Sequence, residues 1–248
     1  MEAGNTVNPI QWEVVEKVIS PYRLESYLED SANRNELAIA LYEWNNELSA
    51  AFWELISLLE VGLRNTIDQK LEERSRRLGR EAHWIFDESG ELGRRDKAEK
   101  NLYPYRDIYS AIGRVRRNEK PVSPQQIISE TSLGFWHQLV SSKSLSIWPD
   151  LAGAFPYAPS RDQSYISELV QDLRKLRNRI SHHHKLQRKS IEQGELLILE
   201  LAKAIDPEFS IWLKRVSKIE IVLQNRPILR ESEKFSRVRR LKALLGLR

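Results

Sequence analysis

The chain of 248 residues contains no cysteine. That absence excludes disulfides, thiolate metal ligands and a cysteine nucleophile together, and it fits a reducing compartment. An apolar leader is lacking as well. The opening MEAGNTVNPIQWEVVEK carries acids and an Asn-Pro where a signal peptide needs an unbroken hydrophobic run. The longest apolar stretches fall far short of a membrane span, so a soluble, cytoplasmic protein with no membrane partner is expected. Runs of alternating β-branched residues are missing, which removes the case for a sheet. No repeat of solenoid period occurs, and no linker rich in glycine and serine divides the sequence. A single domain over residues 1–248 is the expectation.

What is present reads as globular: 41% of residues are hydrophobic and 30% charged. The net charge of +4 is unevenly placed. Eight basic residues from Arg226 to Arg248, set against Glu231 and Glu233, carry +6 of it and leave −2 for the rest. Residues 228–248 therefore read as a basic C-terminal helix. Such a tail can follow a phosphate backbone. It can equally be the solvated face of an ordinary helix whose other side is Phe235, Val238, Leu241 and Leu245.

Helical periodicity dominates. Pro21 suits the first turn of a short helix, PYRLESYLED. A long helix is expected from about Asn35 to Arg77, with Leu37, Leu41, Trp44, Leu48, Phe52, Leu55, Leu59, Leu63 and Ile67 as its buried stripe and Asn45-Asn46 as its weak point. Residues 86–101 read as an exposed loop or the start of a charged helix. Asn101 to Arg117 reads as helix, and Gly134 as a place where backbone and bulky rings pack closely. Three prolines confine residues 146–163 to an irregular connection. A second strong helix begins near Asp162 or Ser164, on the stripe Ile166, Leu169, Leu173, Leu176 and Ile180. Further helices are expected over Ser190–Ile205 and Glu208–Gln224.

Chemistry concentrates in LRKLRNRISHHH. Asn178 and His182, four apart, share a helix face that points away from the apolar stripe. Arg177 and His182 lie roughly 140° apart on an ideal helix. The length of arginine, or a loosened last turn near Ser181, must therefore bring the guanidinium round. Arg174, Lys175, Arg177 and Arg179 crowd the helix before the histidines, a density that suits a helix C-terminus and also attracts phosphate. Three adjacent histidines do not converge on one ion in a helix, so no metal or other cofactor is expected. On residues alone, two readings stand: a solvated basic helix end, or an RNA-cleaving site.

The second reading has a defined mechanism. The 2′-hydroxyl of RNA is a nucleophile already tethered beside its phosphate. Histidine exchanges protons near neutral pH, arginine presents a planar charged fork to phosphate oxygens, and asparagine can fix a tautomer or hold the backbone. Catalytic candidates are Arg177, Asn178 and His182. Arg174, Arg179, His183 and Arg64 are candidates for positioning RNA.

Arg177-Asn178-Arg179-Ile180-Ser181-His182 resembles the signature of the HEPN superfamily: arginine, four residues, histidine, with asparagine after the arginine. Within that superfamily, residues 41–68 (LYEWNNELSAAFWELISLLEVGLRNTID) are similar to the N-terminal helix of the Abi-like, abortive-infection family. SLGFWHQLVSS and IWPDLAGAFP, over residues 132–156, are similar to its middle motif, and DPEFSIWLKRV with a closing NRP follows in order. The resemblance covers residues 22–227. His184 stands where the family often carries glutamate. The resemblance implies an all-α, HEPN-like bundle with long antiparallel helices and additional C-terminal helices. It also implies a homodimer with a composite site, and metal-independent endoribonuclease activity as a toxin or effector in phage defence, held in check by an antitoxin or regulatory partner.

Other readings remain open at this level. The chain is alternatively a catalytically silent scaffold that binds RNA or a partner protein, or a nucleotide-binding regulator paired with a nucleotidyltransferase antitoxin. Glu60 and Arg64 form an i,i+4 pair, and Gln69 stands where a second histidine would be needed, so this element is structural or substrate-positioning. Trp44, Phe52, Trp53, Phe135, Trp136 and Trp148 could stack bases, but beside leucines at helical spacing they also read as core.

Overall fold

A computed structural model describes residues 10–95 and 101–228, and all its regular structure is helical, with no strand among them. Two short helices lead, α1 (Trp12–Ile19) and α2 (Pro21–Asp30), the latter opening on its proline as expected. Then comes α3 (Asn35–Arg77). After a loop follow α4 (Tyr105–Arg117), α5 (Pro124–Ser129), α6 (Leu133–Leu139), α7 (Trp148–Leu151), α8 (Gln163–Ser181), α9 (Arg188–Ile205), α10 (Pro207–Val216) and α11 (Ile219–Gln224). The described residues fall into two compact units, one formed by residues 10–51 and 218–228, the other by 52–95 and 101–217. The basic tail and its apolar stripe lie outside the described residues, apart from Arg226 to Ile228.

In the first unit, Tyr27, Ala38 and Leu41 are buried, with Trp12, Leu28, Leu37 and Tyr42 packed around them. The turn before α3 is organised by the buried Ser31, whose hydroxyl donates to the Leu28 carbonyl at 2.9 Å and accepts from the Arg34 backbone N–H at 3.2 Å. Asn45-Asn46 does not interrupt α3. An asparagine costs a helix only about 0.7 kcal/mol, whereas full burial of each large apolar side chain in the stripe is worth about 1.5–3 kcal/mol. Trp44 is buried, and its indole N–H donates to the Val222 carbonyl of α11 at 2.8 Å.

The second unit is built on the remainder of α3, where Phe52, Leu55, Leu59, Leu63 and Ile67 are wholly buried. Two glycines allow close helix packing. A Cβ on Gly194 of α9 would stand 2.8 Å from the Phe52 ring, and one on Gly62 would stand 2.6 Å from the ring of Phe209 in α10. Phe135 and Trp136 of α6 are buried against Trp84, with the two indole rings 6.2 Å apart. A Cβ on Gly134 would stand 3.4 Å from the Ser132 hydroxyl and 3.8 Å from Arg174 Nη1.

Several expectations are corrected. The described part of residues 86–101 is a loop, yet Asp87 and Leu92 within it are buried, and the Asp87 carboxylate accepts backbone N–H bonds from Leu92 and Arg94, both at 3.0 Å. Much of residues 146–163 is wound into short turns: Ser142–Ile147, α7 and Ala152–Ala154. Val170 sits fully buried on α8 while Leu169 is half-buried, because the stripe turns with the true helix period. The helix expected over 208–224 ends at Val216, and α11 starts afresh at Ile219.

Candidate functional site

The site-bearing helix α8 buries Ile166, Val170, Leu173, Leu176 and Ile180 and presents its basic residues elsewhere. Its end is closed by the backbone. His182 is the C-cap residue, and its N–H donates to the Asn178 carbonyl at 3.0 Å. His183 adopts a left-handed conformation with φ of 55°, donating to the Ile180 carbonyl at 2.9 Å, and the His184 N–H donates to the Arg179 carbonyl at 3.0 Å. That pair of bonds is a Schellman closure, usually reserved for glycine at the left-handed position. Arg179 strengthens it, its Nε donating to the Lys185 carbonyl at 2.8 Å. The last turn is therefore not loosened near Ser181.

This closure fixes where the side chains go. His182, His183 and His184 are all exposed, with the rings of His182 and His184 6.1 Å apart. Asn178 is exposed too. Its carbonyl receives His182 and the Ser181 hydroxyl, and its carboxamide makes no hydrogen bond among the described residues. Arg177 takes a different course. Its guanidinium carbon lies 5.4 Å from the Trp53 ring centroid, a cation–π contact, and its buried Nε has no hydrogen-bond partner. No carboxylate pairs with Arg177 among the described residues. Within one chain, then, Arg177 is held by Trp53, and the ring near His182 is His184.

Arg177 also lines a cleft of about 430 Å³ between α4, the α5–α6 corner and α8. Arg114 and Glu130 face each other there at 3.3 Å, and Asp107 accepts a hydrogen bond from Gln138 at 2.7 Å. Arg174, one turn before Arg177, reaches Gly134, where a Cβ would lie 3.8 Å from its Nη1. Beside it on α6, His137 is hydrogen-bonded to the Ser167 backbone. Burial holds this imidazole below the ordinary histidine value, and the charge of Arg174 adds to the effect. Arg64 is spent on its own helix, its Nη2 3.2 Å from the Glu60 carboxylate, and it does not line this cleft.

No family model, curated protein or solved structure matches this chain.

Sequence reasoning missed Trp53, Arg114, Ser132 and His137 as neighbours of the α8 arginines. Trp53 carried a signal, since it lies off the stripe that contains Phe52 and is 39% exposed. The others come from separate helices, and nothing in their local spacing announces that they meet. Of the aromatic set, Phe52, Phe135, Trp136 and Trp44 are core. Trp148 is half-buried and stacks on Phe155. Among the described residues, no three His, Asp or Glu side chains are grouped to hold a metal ion. One ionic network serves structure: Arg74, Arg77 and Arg80, at and just beyond the end of α3, pair with Glu91 and Asp150.

Proposed function

We propose that the chain is a metal-independent endoribonuclease of the HEPN type, with long antiparallel helices in its bundle, acting on RNA in the cytoplasm as a toxin or effector of phage defence. The observation that supports this most is the division of labour on α8. Arg177 is a half-buried cation without a counter-ion, and His182 is an exposed imidazole at a rigidly closed helix end. In the reaction, the 2′-oxygen forms a bond to phosphorus as the bond from phosphorus to the 5′-oxygen breaks. One imidazole takes the 2′-hydroxyl proton and a second supplies a proton to the leaving 5′-oxygen. Arginine neutralises the charge that builds on the non-bridging oxygens.

Because Arg177 and His182 face different surroundings in one chain, the reaction is assigned to a homodimer in which two copies of α8 complete each other. An antitoxin or regulatory partner would keep such a site harmless. Purified full-length protein should cut single-stranded RNA in excess chelator and leave 2′,3′-cyclic phosphate and 5′-hydroxyl ends. Intact RNA after prolonged incubation with dimeric protein would sink this reading. One observation favours a second reading, a silent scaffold that binds RNA or a protein. Arg177 is already engaged by Trp53, so the guanidinium can serve binding without chemistry.

A further inference from the structure

Two half-buried guanidiniums on α8 lack the compensation that half-buried charges normally have. Arg174 and Arg177 stand three residues apart, so they share a face, and neither makes an ion pair among the described residues. Glu130 takes Arg114 through both its carboxylate and its carbonyl, while Asp107 accepts from the neutral amide of Gln138 and keeps its charge, so the three guanidiniums of Arg114, Arg174 and Arg177 stand against two carboxylates. A half-buried cation with no carboxylate partner is costly, and an anion entering beside these guanidiniums would recover part of that cost.

The surrounding groups are suited to oxygen ligands. Ser132 lines the cleft, is exposed, and has no hydrogen bond from its hydroxyl among the described residues. Gly134 leaves its α-carbon bare between this hydroxyl and Arg174, since a Cβ there would be 3.4 Å from Ser132 Oγ and 3.8 Å from Arg174 Nη1. Arg114 lines the same cleft with one guanidinium nitrogen not used by Glu130. His182 does not line it.

From this arrangement we infer that the cleft between α4, the α5–α6 corner and α8 is a phosphate-binding site, in which Arg177 on its wall and Arg174 at its edge beside Gly134 supply the charge and Ser132 an oxygen-directed donor. The inference rests on the ribonuclease reading only for the role of the phosphate. There Arg177 meets the scissile phosphate, whose histidine comes from the other copy because that of the same chain is off the cleft, and Arg174 holds a flanking backbone phosphate that keeps the strand in register. Arg174 is thus a positioning residue.

The test uses full-length protein and two probes, inorganic pyrophosphate followed by calorimetry and a labelled single strand carrying 2′-O-methyl groups followed by anisotropy. The methylated strand cannot be cut, so binding is read without turnover. Arg174→Gln and Arg177→Gln should each weaken binding of the strand about tenfold or more, as loss of a charge-assisted contact requires. Ser132→Ala should weaken it about threefold. Lys175→Gln removes the same charge from an exposed position of the same helix, where Lys175 pairs with Asp172. It should change binding less than about twofold, and circular dichroism should show all four variants folded. Pyrophosphate competing with the strand marks a general phosphate site. Strand binding without pyrophosphate binding marks a backbone subsite, and either supports the inference. Pyrophosphate binding with no strand binding would overturn the backbone role. Equal losses in Arg174→Gln and Lys175→Gln would overturn the site itself, since only bulk charge would then be at work. Failure of wild-type protein to cut unmodified RNA, with these binding differences intact, would count against the nuclease reading alone.

Discussion

Replacing Arg177 by methionine separates a functional guanidinium from a structural one. Methionine keeps much of the length and the apolar contact with Trp53 but removes the charge. The cation–π contact, at 5.4 Å to a ring that is 39% exposed, is worth about 0.5–1 kcal/mol. Against it stands a buried Nε with no hydrogen-bond partner, which costs about 1–3 kcal/mol in desolvation. The balance runs from about zero to about 2.5 kcal/mol in favour of Arg177→Met. Urea denaturation followed by circular dichroism should therefore show an unchanged or raised midpoint at equal m-value, while RNA cleavage and strand binding are lost. Pyrophosphate at 100 times its dissociation constant should raise wild-type stability by about 2.7 kcal/mol and leave the variant unmoved. A loss of more than about 2 kcal/mol in Arg177→Met would refute the reasoning, because the guanidinium would then be holding the fold.

Three further outcomes are expected. His182→Ala should abolish cleavage with the melting curve unchanged, since the ring is exposed and its capping bond is made by backbone, whereas His183→Ala should lose less activity; equal loss would move the assignment to the neighbouring histidine. Gly194→Val should cost about 2–3 kcal/mol in chemical denaturation, because a Cβ already meets Phe52 at 2.8 Å and Leu176 at 3.2 Å, and a neutral result would mean that α3 and α9 are not packed this closely. Glu91 is held below the ordinary carboxylate range by its bond to Arg80, with Arg74 adding to it, and His137 is held below the ordinary histidine range by burial and Arg174. Both folded-state values lie below the unfolded ones, so both contributions are complete above the unfolded values and vanish as pH falls. His137→Gln should flatten the stability profile on the acid side of the histidine range, and Glu91→Gln should flatten it on the acid side of the glutamate range; profiles parallel to wild type would contradict the stated causes.

The helices were legible because their signals are local. Pro21 at a first turn, the stripe from Leu41 to Ile67, and the stripe from Ile166 to Ile180 each place an apolar face by spacing alone, and the structure buries them. Asn45-Asn46 misled because local propensity is a weaker term than burial of the flanking side chains. The break after Val216 was missed for a related reason: Ser217 and Lys218 carry no strong stop signal, and the Ser217 hydroxyl is taken by Glu195 of α9, a residue distant in sequence.

For the site, the sequence by itself determined which residue types are gathered on α8, that Asn178 and His182 lie off its apolar stripe, and that Arg177 starts roughly 140° from His182. Only the tertiary structure decided which way Arg177 turns. Its direction depends on the Trp53 face offered by α3, and the closed backbone at His182 to His184 removes the slack that could have brought the guanidinium round. The cleft itself exists only because α4, the α5–α6 corner and α8 converge, and Arg177 has no carboxylate partner there because Glu130 is taken by Arg114 from a helix distant in sequence. Helix periodicity is a sum of near-neighbour preferences and survives in the linear sequence. Charge compensation depends on pairs tens of residues apart and does not.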